Sequence, residues 1–127
     1  MGFFDRFINT EVENEDPFWN SVTSEEQLDE ILDTSIEKPL VILKHSNQCG
    51  TSFFAKRNLE LINKSEHENV DFFLIDVIHQ RALSRYLSER IGVRHESPQL
   101  FVIKNSEIIW HGSHHQVNEK NLKVALN

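Results

Sequence analysis

A single cysteine, Cys49, stands among the 127 residues of the chain. One thiol cannot close a disulfide within the chain, nor build a Cys-rich zinc or iron–sulfur cage by itself. Any sulfur chemistry must involve a second molecule. Cations are scarce too: 13 Lys and Arg face 20 Asp and Glu, a net charge of −7 with the histidines neutral. Phosphate affinity rests on clustered cations, so this balance argues against a nucleic-acid partner and against docking on an anionic membrane surface. No apolar stretch approaches the roughly 18 residues a membrane span needs. The longest runs, 40–43 and 72–75, are strand-sized. The opening Met1-Gly2-Phe3-Phe4-Asp5-Arg6 lacks a basic n-region and a long apolar stretch, and Arg6 stands where a myristoylation motif wants Ser or Thr. A cytoplasmic protein is expected, in a compartment where a lone thiol stays reduced unless it exchanges disulfides. Internal repeats and low-complexity segments are absent as well.

What is present is a regular alternation. Residues 1–17 read as an N-terminal extension, with Phe3, Phe4, Phe7 and Ile8 able to share one helical face before an acidic stretch that ends at Pro17. One domain is expected over 18–127. Residues 18–22 suit a short strand. Thr23 and Ser24 each stand three residues before a Glu or Gln, the pattern of a capping box. Leu28, Ile31 and Leu32 follow at helical spacing to about Ser35. Beyond Pro39, the unbroken apolar run 40–43 suits a strand covered on both faces. Ala55, Leu59 and Ile62 mark a second helix over about 50–63, and 70–77 a further buried strand. Leu83, Tyr86, Leu87 and Ile91 mark a third helix, stopped by Gly92. Segments 100–103 and 108–110 flank a four-residue polar connection and predict a hairpin. Leu122, Ala125 and Leu126 mark a last helix. The order β-α-β-α-β-α-β-β-α asks for parallel pairing through crossover helices, with antiparallel strands at one edge. The fold class expected is α/β: a thioredoxin-like, four- to five-stranded mixed sheet with helices on both faces.

Cys49 falls between the apolar strand and the second helix, in His45-Ser46-Asn47-Gln48-Cys49-Gly50-Thr51-Ser52. A thiol at a helix start faces unpaired N–H groups and the positive end of the dipole. Both favour thiolate, so its pKa should lie below the free value of ~8.5. Thiolate attacks disulfides and leaves a mixed disulfide. A second thiol three residues on would resolve that adduct; Ser52 stands there and cannot. The expected product is a stable mixed disulfide, cleared by an outside thiol. His45 and His95 flank the site, either to favour thiolate or shuttle a proton, or as ordinary hydrogen-bonded loop residues. Ser97-Pro98 precedes the strand at 100–103, and an X–Pro bond there is compatible with either isomer. His111, His114 and His115 cluster near the end without a carboxylate between His111 and His114, which favours solvated histidines over a metal site.

Three segments together resemble one family. Leu43-Lys44-His45-Ser46 leading to a lone cysteine, then Val93-Arg94-His95-Glu96-Ser97-Pro98-Gln99, then Trp110-His111 with Ser113-His114, are similar to the YtxJ family of monothiol, bacilliredoxin-like proteins. The likeness spans roughly residues 18–126. It implies a thiol–disulfide oxidoreductase that removes bacillithiol from S-bacillithiolated proteins in the cytoplasm after oxidative stress. Cys49 would be the nucleophile and Pro98 the cis-proline beside it. Gly50, Thr51, Ser52, His45, His95, Ser97 and Pro98 would be the substrate contacts. Bacillithiol enters as the exchanging thiol, with no resident cofactor and no metal. With Pro98 cis, Ser97 would offer backbone groups to an extended partner segment. One departure stands out: the family cysteine is commonly followed by proline, and this chain has Gly50.

Two alternatives accompany this expectation. Cys49-Gly50-Thr51-Ser52 also resembles the Cys-Gly-Phe-Ser motif of monothiol glutaredoxins, which hold an iron–sulfur cluster. Their Gly-Gly-Cys/Ser-Asp segment is replaced here by Gly112-Ser113-His114-His115-Gln116. A thioredoxin-like interaction module without catalysis is the other.

Overall fold

The computed structural model describes residues 18–127, so the expected extension over 1–17 lies outside the described residues. Five strands form one mixed sheet in the order β1-β3-β2-β4-β5. They are β1 (Asn20–Ser21), β2 (Leu40–His45), β3 (Asp71–Asp76), β4 (Gln99–Lys104) and β5 (Glu107–Ser113). β1 and β2 each pair parallel with β3, whereas β4 runs antiparallel to β2 and to β5. The helices are α1 (Glu25–Thr34), α2 (Gly50–Leu59), α3 (Arg81–Ile91) and α4 (Glu119–Leu126).

β2 lies mid-sheet, and all six of its residues are buried. Its side chains alternate between two cores. Val41 and Leu43 pack with Ala55 and Leu59 of α2 and Leu122 of α4. Leu40 and Ile42 pack with Leu28 and Ile31 of α1 and with Leu83 and Leu87 of α3. Each fully enclosed aliphatic side chain contributes about 1.5–3 kcal/mol relative to exposure. The unbroken apolar run of β2 is thus the sequence signature of a strand clad on both sides, as expected.

Local signals explain the ends of the elements. Ser24 caps α1, its Oγ accepting from Gln27 N at 3.0 Å, while Gln27 Oε1 accepts from Thr23 N. α3 stops at Gly92, which takes φ +72, and the amides of Gly92 and Val93 both donate to Ser88 O. The two residues that join β4 to β5, Asn105 and Ser106, have φ of +56 and +64, the left-handed pair of a type I′ hairpin. Their amides are tied to Ser35 at the end of α1.

The second helix is shorter than its apolar spacing suggested, ending at Leu59 instead of near 63. Leu61 and Ile62 donate to Asn58 O and Leu59 O, three residues back, so the last turn tightens. Glu60 is drawn away to Trp19 Nε1 and Lys56 Nζ, while Ile62 still reaches the core. β1 is also shorter than the expected 18–22. Among the described residues, no helix is long and apolar enough to cross a membrane.

Candidate active site

β2 delivers the chain to the edge of the sheet and ends at His45. A turn follows, in which Ser46 Oγ accepts from Gln48 N at 3.1 Å and Ser46 O from Cys49 N at 3.3 Å. Cys49 then occupies the N-cap of α2 with extended backbone (φ −116, ψ 122), and its carbonyl accepts the first helical bond, from Phe53 N. The thiol is exposed. No capping bond is closed by its side chain. The amides of Ser52 and Thr51 nonetheless face the sulfur and, with smaller help from both hydroxyls, hold the thiol below its ordinary range. A thiolate that accepts from helix-start amides is the nucleophile that disulfide exchange needs.

Ser52 does more than fill the place of a resolving thiol. It is fully buried, and its Oγ has no hydrogen-bond partner among the described residues. Its hydroxyl stabilises the charge that appears on sulfur when Cys49 ionises. Gly50 and Thr51 are exposed beside the thiol, and nothing lies within 4 Å of where a Cβ on Gly50 would sit.

The Ser97–Pro98 bond is cis. Gln99 is paired with Lys44, so buried Pro98 comes next along the ladder, across from the end of the strand that leads to Cys49. The loop before it is clamped from both ends. Gln99 is 2 % exposed; its Nε2 donates to Arg94 O and its Oε1 accepts from Glu96 N. Glu96 accepts from the Ser113 hydroxyl, which holds its carboxyl below the usual range, and Pro98 O accepts from His114 N. Ser97 N–H and C=O make no hydrogen bond among the described residues. Gln99 and Glu96 appear in the sequence only as motif letters. A glutamine heading an otherwise apolar strand was the one available sign of the clamp.

The two flanking histidines part company. His45 is a strand residue, not a loop residue, and at 3 % exposure leaves little for a substrate to touch. His95 is exposed, but its Nδ1 points inward, 3.1 Å from Lys44 Nζ and 3.3 Å from Ser84 Oγ. Partial burial, then the Lys44 charge, lower its pKa, so it is neutral at pH 7 and not the imidazolium that would favour thiolate. On the other flank, an open groove of about 550 Å³ runs from Thr51 between Phe54, Leu61 and His114. Phe54 is 71 % exposed there. Among the described residues, no three His, Cys, Asp or Glu are grouped to hold a metal ion.

Comparisons with known proteins agree with this geometry. The chain is similar over 87 % of its length to 96 % of a protein described as having a thioredoxin fold, at 28 % identity and a TM-score of 0.76. The thioredoxins of Fasciola hepatica (17 % identity, TM-score 0.65, 84 % of this chain and 95 % of that one) and Malassezia sympodialis (20 %, 0.66, 85 % and 87 %) share the fold. The model of the monothiol bacilliredoxin BrxC family matches residues 20–122, a span that holds the thiol turn, the cis-proline and the Glu96–Ser113 clamp. With one exposed, helix-capping cysteine on a thioredoxin fold, the chain belongs to the monothiol bacilliredoxin family.

Proposed function

We propose that this protein removes bacillithiol from S-bacillithiolated proteins. The Cys49 thiolate attacks the bacillithiol sulfur of the target's mixed disulfide. That S–S bond breaks, the target cysteine leaves as thiolate, and a new S–S bond joins bacillithiol to Cys49. No electrons are gained or lost in the sum. A second bacillithiol then attacks the adduct, restoring Cys49 and leaving with the first as bacillithiol disulfide. The observation that carries this is the exposed Cys49 at the start of α2, in a chain with no other cysteine.

Two further features support a protein-sized substrate. The unengaged Ser97 amide and carbonyl suit an extended segment added strand-fashion, each such bond contributing about 0.5–1.5 kcal/mol. The groove beside Thr51 offers Phe54 and Leu61 to the same partner. A reducing cytoplasm is the compartment this reading implies.

The test is intact mass after mixing the reduced protein with an S-bacillithiolated target. The target should lose one bacillithiol while Cys49 gains it, and Cys49→Ser should do neither. A target that stays modified in the presence of excess reduced protein overturns the assignment.

A further inference from the structure

Opposite the thiol helix, on the α3 side of the sheet, lies a cavity of about 250 Å³ walled by Val77, Arg81, Ser84, Arg85 and His95. Arg81 and Arg85 stand one helical turn apart on α3 and are exposed. Neither makes an ion pair or a side-chain hydrogen bond among the described residues. Behind His95 lies Lys44, fully buried in β2. Its ammonium donates to Ser88 Oγ at 2.7 Å, lies 3.1 Å from His95 Nδ1 and 5.8 Å from the Phe101 ring centre. None of these partners is an anion. The nearby carboxylates are taken: Asp76 by the amides of Ile78 and His79 and the His79 ring, and Glu96 by Ser113. Cationic charge thus converges in a chain of net charge −7, and among the described residues no carboxylate forms an ion pair with Lys44, Arg81 or Arg85. A buried charge is stable only when paired, and guanidinium pairs are suited to carboxylates.

The cavity is joined to the thiol site. Val77 N donates to His45 O at 2.9 Å, and His45 is the last residue of the strand that delivers Cys49. His95 stands two residues before the cis-proline peptide. A small thiol of tripeptide size reaches roughly 10 Å when extended. We propose that this cavity binds the carboxylates of the small thiol exchanged at Cys49, and so selects an anionic low-molecular-weight thiol over a neutral one. The proposal rests on the exchange reading above.

The experiment compares rates of mixed-disulfide formation on Cys49 with glutathione disulfide, which carries carboxylates, and with neutral hydroxyethyl disulfide. Wild type and Arg81→Gln/Arg85→Gln are measured side by side; both arginines are exposed, so the fold should persist, as circular dichroism will check. The double variant should react about tenfold more slowly with glutathione disulfide and within about twofold of wild type with the neutral one. Added salt should erase the difference. Equal slowing with both disulfides, or no change with either, overturns the proposal. A second arm titrates free succinate and follows the His95 imidazole by NMR. A saturable shift, lost in the double variant, supports the site. Succinate binding without any change in disulfide preference assigns the cavity to an unrelated anion and overturns it. A wild-type protein that leaves an S-bacillithiolated target modified removes the exchange reading itself. Succinate then shows whether an anion site survives it.

Discussion

While the Cys49 thiol is protonated, the enclosed Ser52 hydroxyl finds no partner and has lost its hydration for nothing in return. Ser52→Ala should therefore stabilise the fold by about 1–2 kcal/mol. It should also slow exchange at pH 7 by roughly twofold to fivefold, because less of the thiol is ionised. Urea unfolding and the pH dependence of Cys49 alkylation give the two readouts. The alkylation midpoint should move up in the alanine variant, and Ser52→Thr should restore it. Lys44 gives a second prediction, this one of pH. Burial lowers its pKa from 10.5 to about 8. Between those values the unfolded chain holds the proton and the folded chain does not, so unfolding free energy rises with pH across that window, by about 3 kcal/mol at most. Lys44→Met should flatten the rise and be the more stable protein at pH 7. Unchanged curvature would mean the ammonium is already well compensated. Cys49 was legible in the sequence because a lone thiol among Asn47, Gln48, Gly50 and Thr51 has no apolar stripe to join. Arg81 and Arg85 were not, since helical arginines one turn apart read as a solvated face until His95 and Lys44 are set beside them.

At the start of α2, glycine stands where the family resemblance leads proline to be expected. Gly50 is the first helical residue, the position at which proline fits a helix because its missing N–H is not needed. The preceding Cys49 is already extended, as suits a residue before proline, and nothing lies within 4 Å of where a Cβ on Gly50 would sit. Gly50→Pro should raise stability by about 0.4–1 kcal/mol, chiefly by restricting the unfolded chain. It should also hold the Thr51 and Ser52 amides more firmly toward sulfur and quicken exchange. Thermal unfolding and alkylation rates measure the pair of effects, and a slower Cys49 in a more stable protein would separate helix order from reactivity. At this scale the sequence carried most of the fold. Ser24 and Gly92 are local signals whose geometry needs no tertiary help, whereas the Asn105-Ser106 turn is also held by Ser35. The early end of α2 was hidden because Glu60 also accepts from Trp19, which lies 41 residues away in the chain.

Across the whole molecule, the sheet separates two tasks that meet only at its edge. The α2 face, through Val41 and Leu43, supports the helix that ionises the thiol; the α3 face, through Ile42 and Lys44, supports the cationic cavity. The unbroken apolar run of β2 foretold a strand covered on both faces, but not that one of the two cores would hold a charge. That knowledge needs the register that sets Lys44 opposite Gln99 and brings α3 over it. Sites without shared partners have additive effects, to within about 0.3–0.5 kcal/mol. Combining Gly50→Pro with Arg81→Gln/Arg85→Gln should therefore multiply their effects on the rate with glutathione disulfide, and a marked deviation would show the two faces to be coupled. If they are not, β2 acts as a partition wall between reactivity and taste. Related chains are then free to change which thiol they prefer by altering one side of the wall, with the chemistry on the other side left as it was.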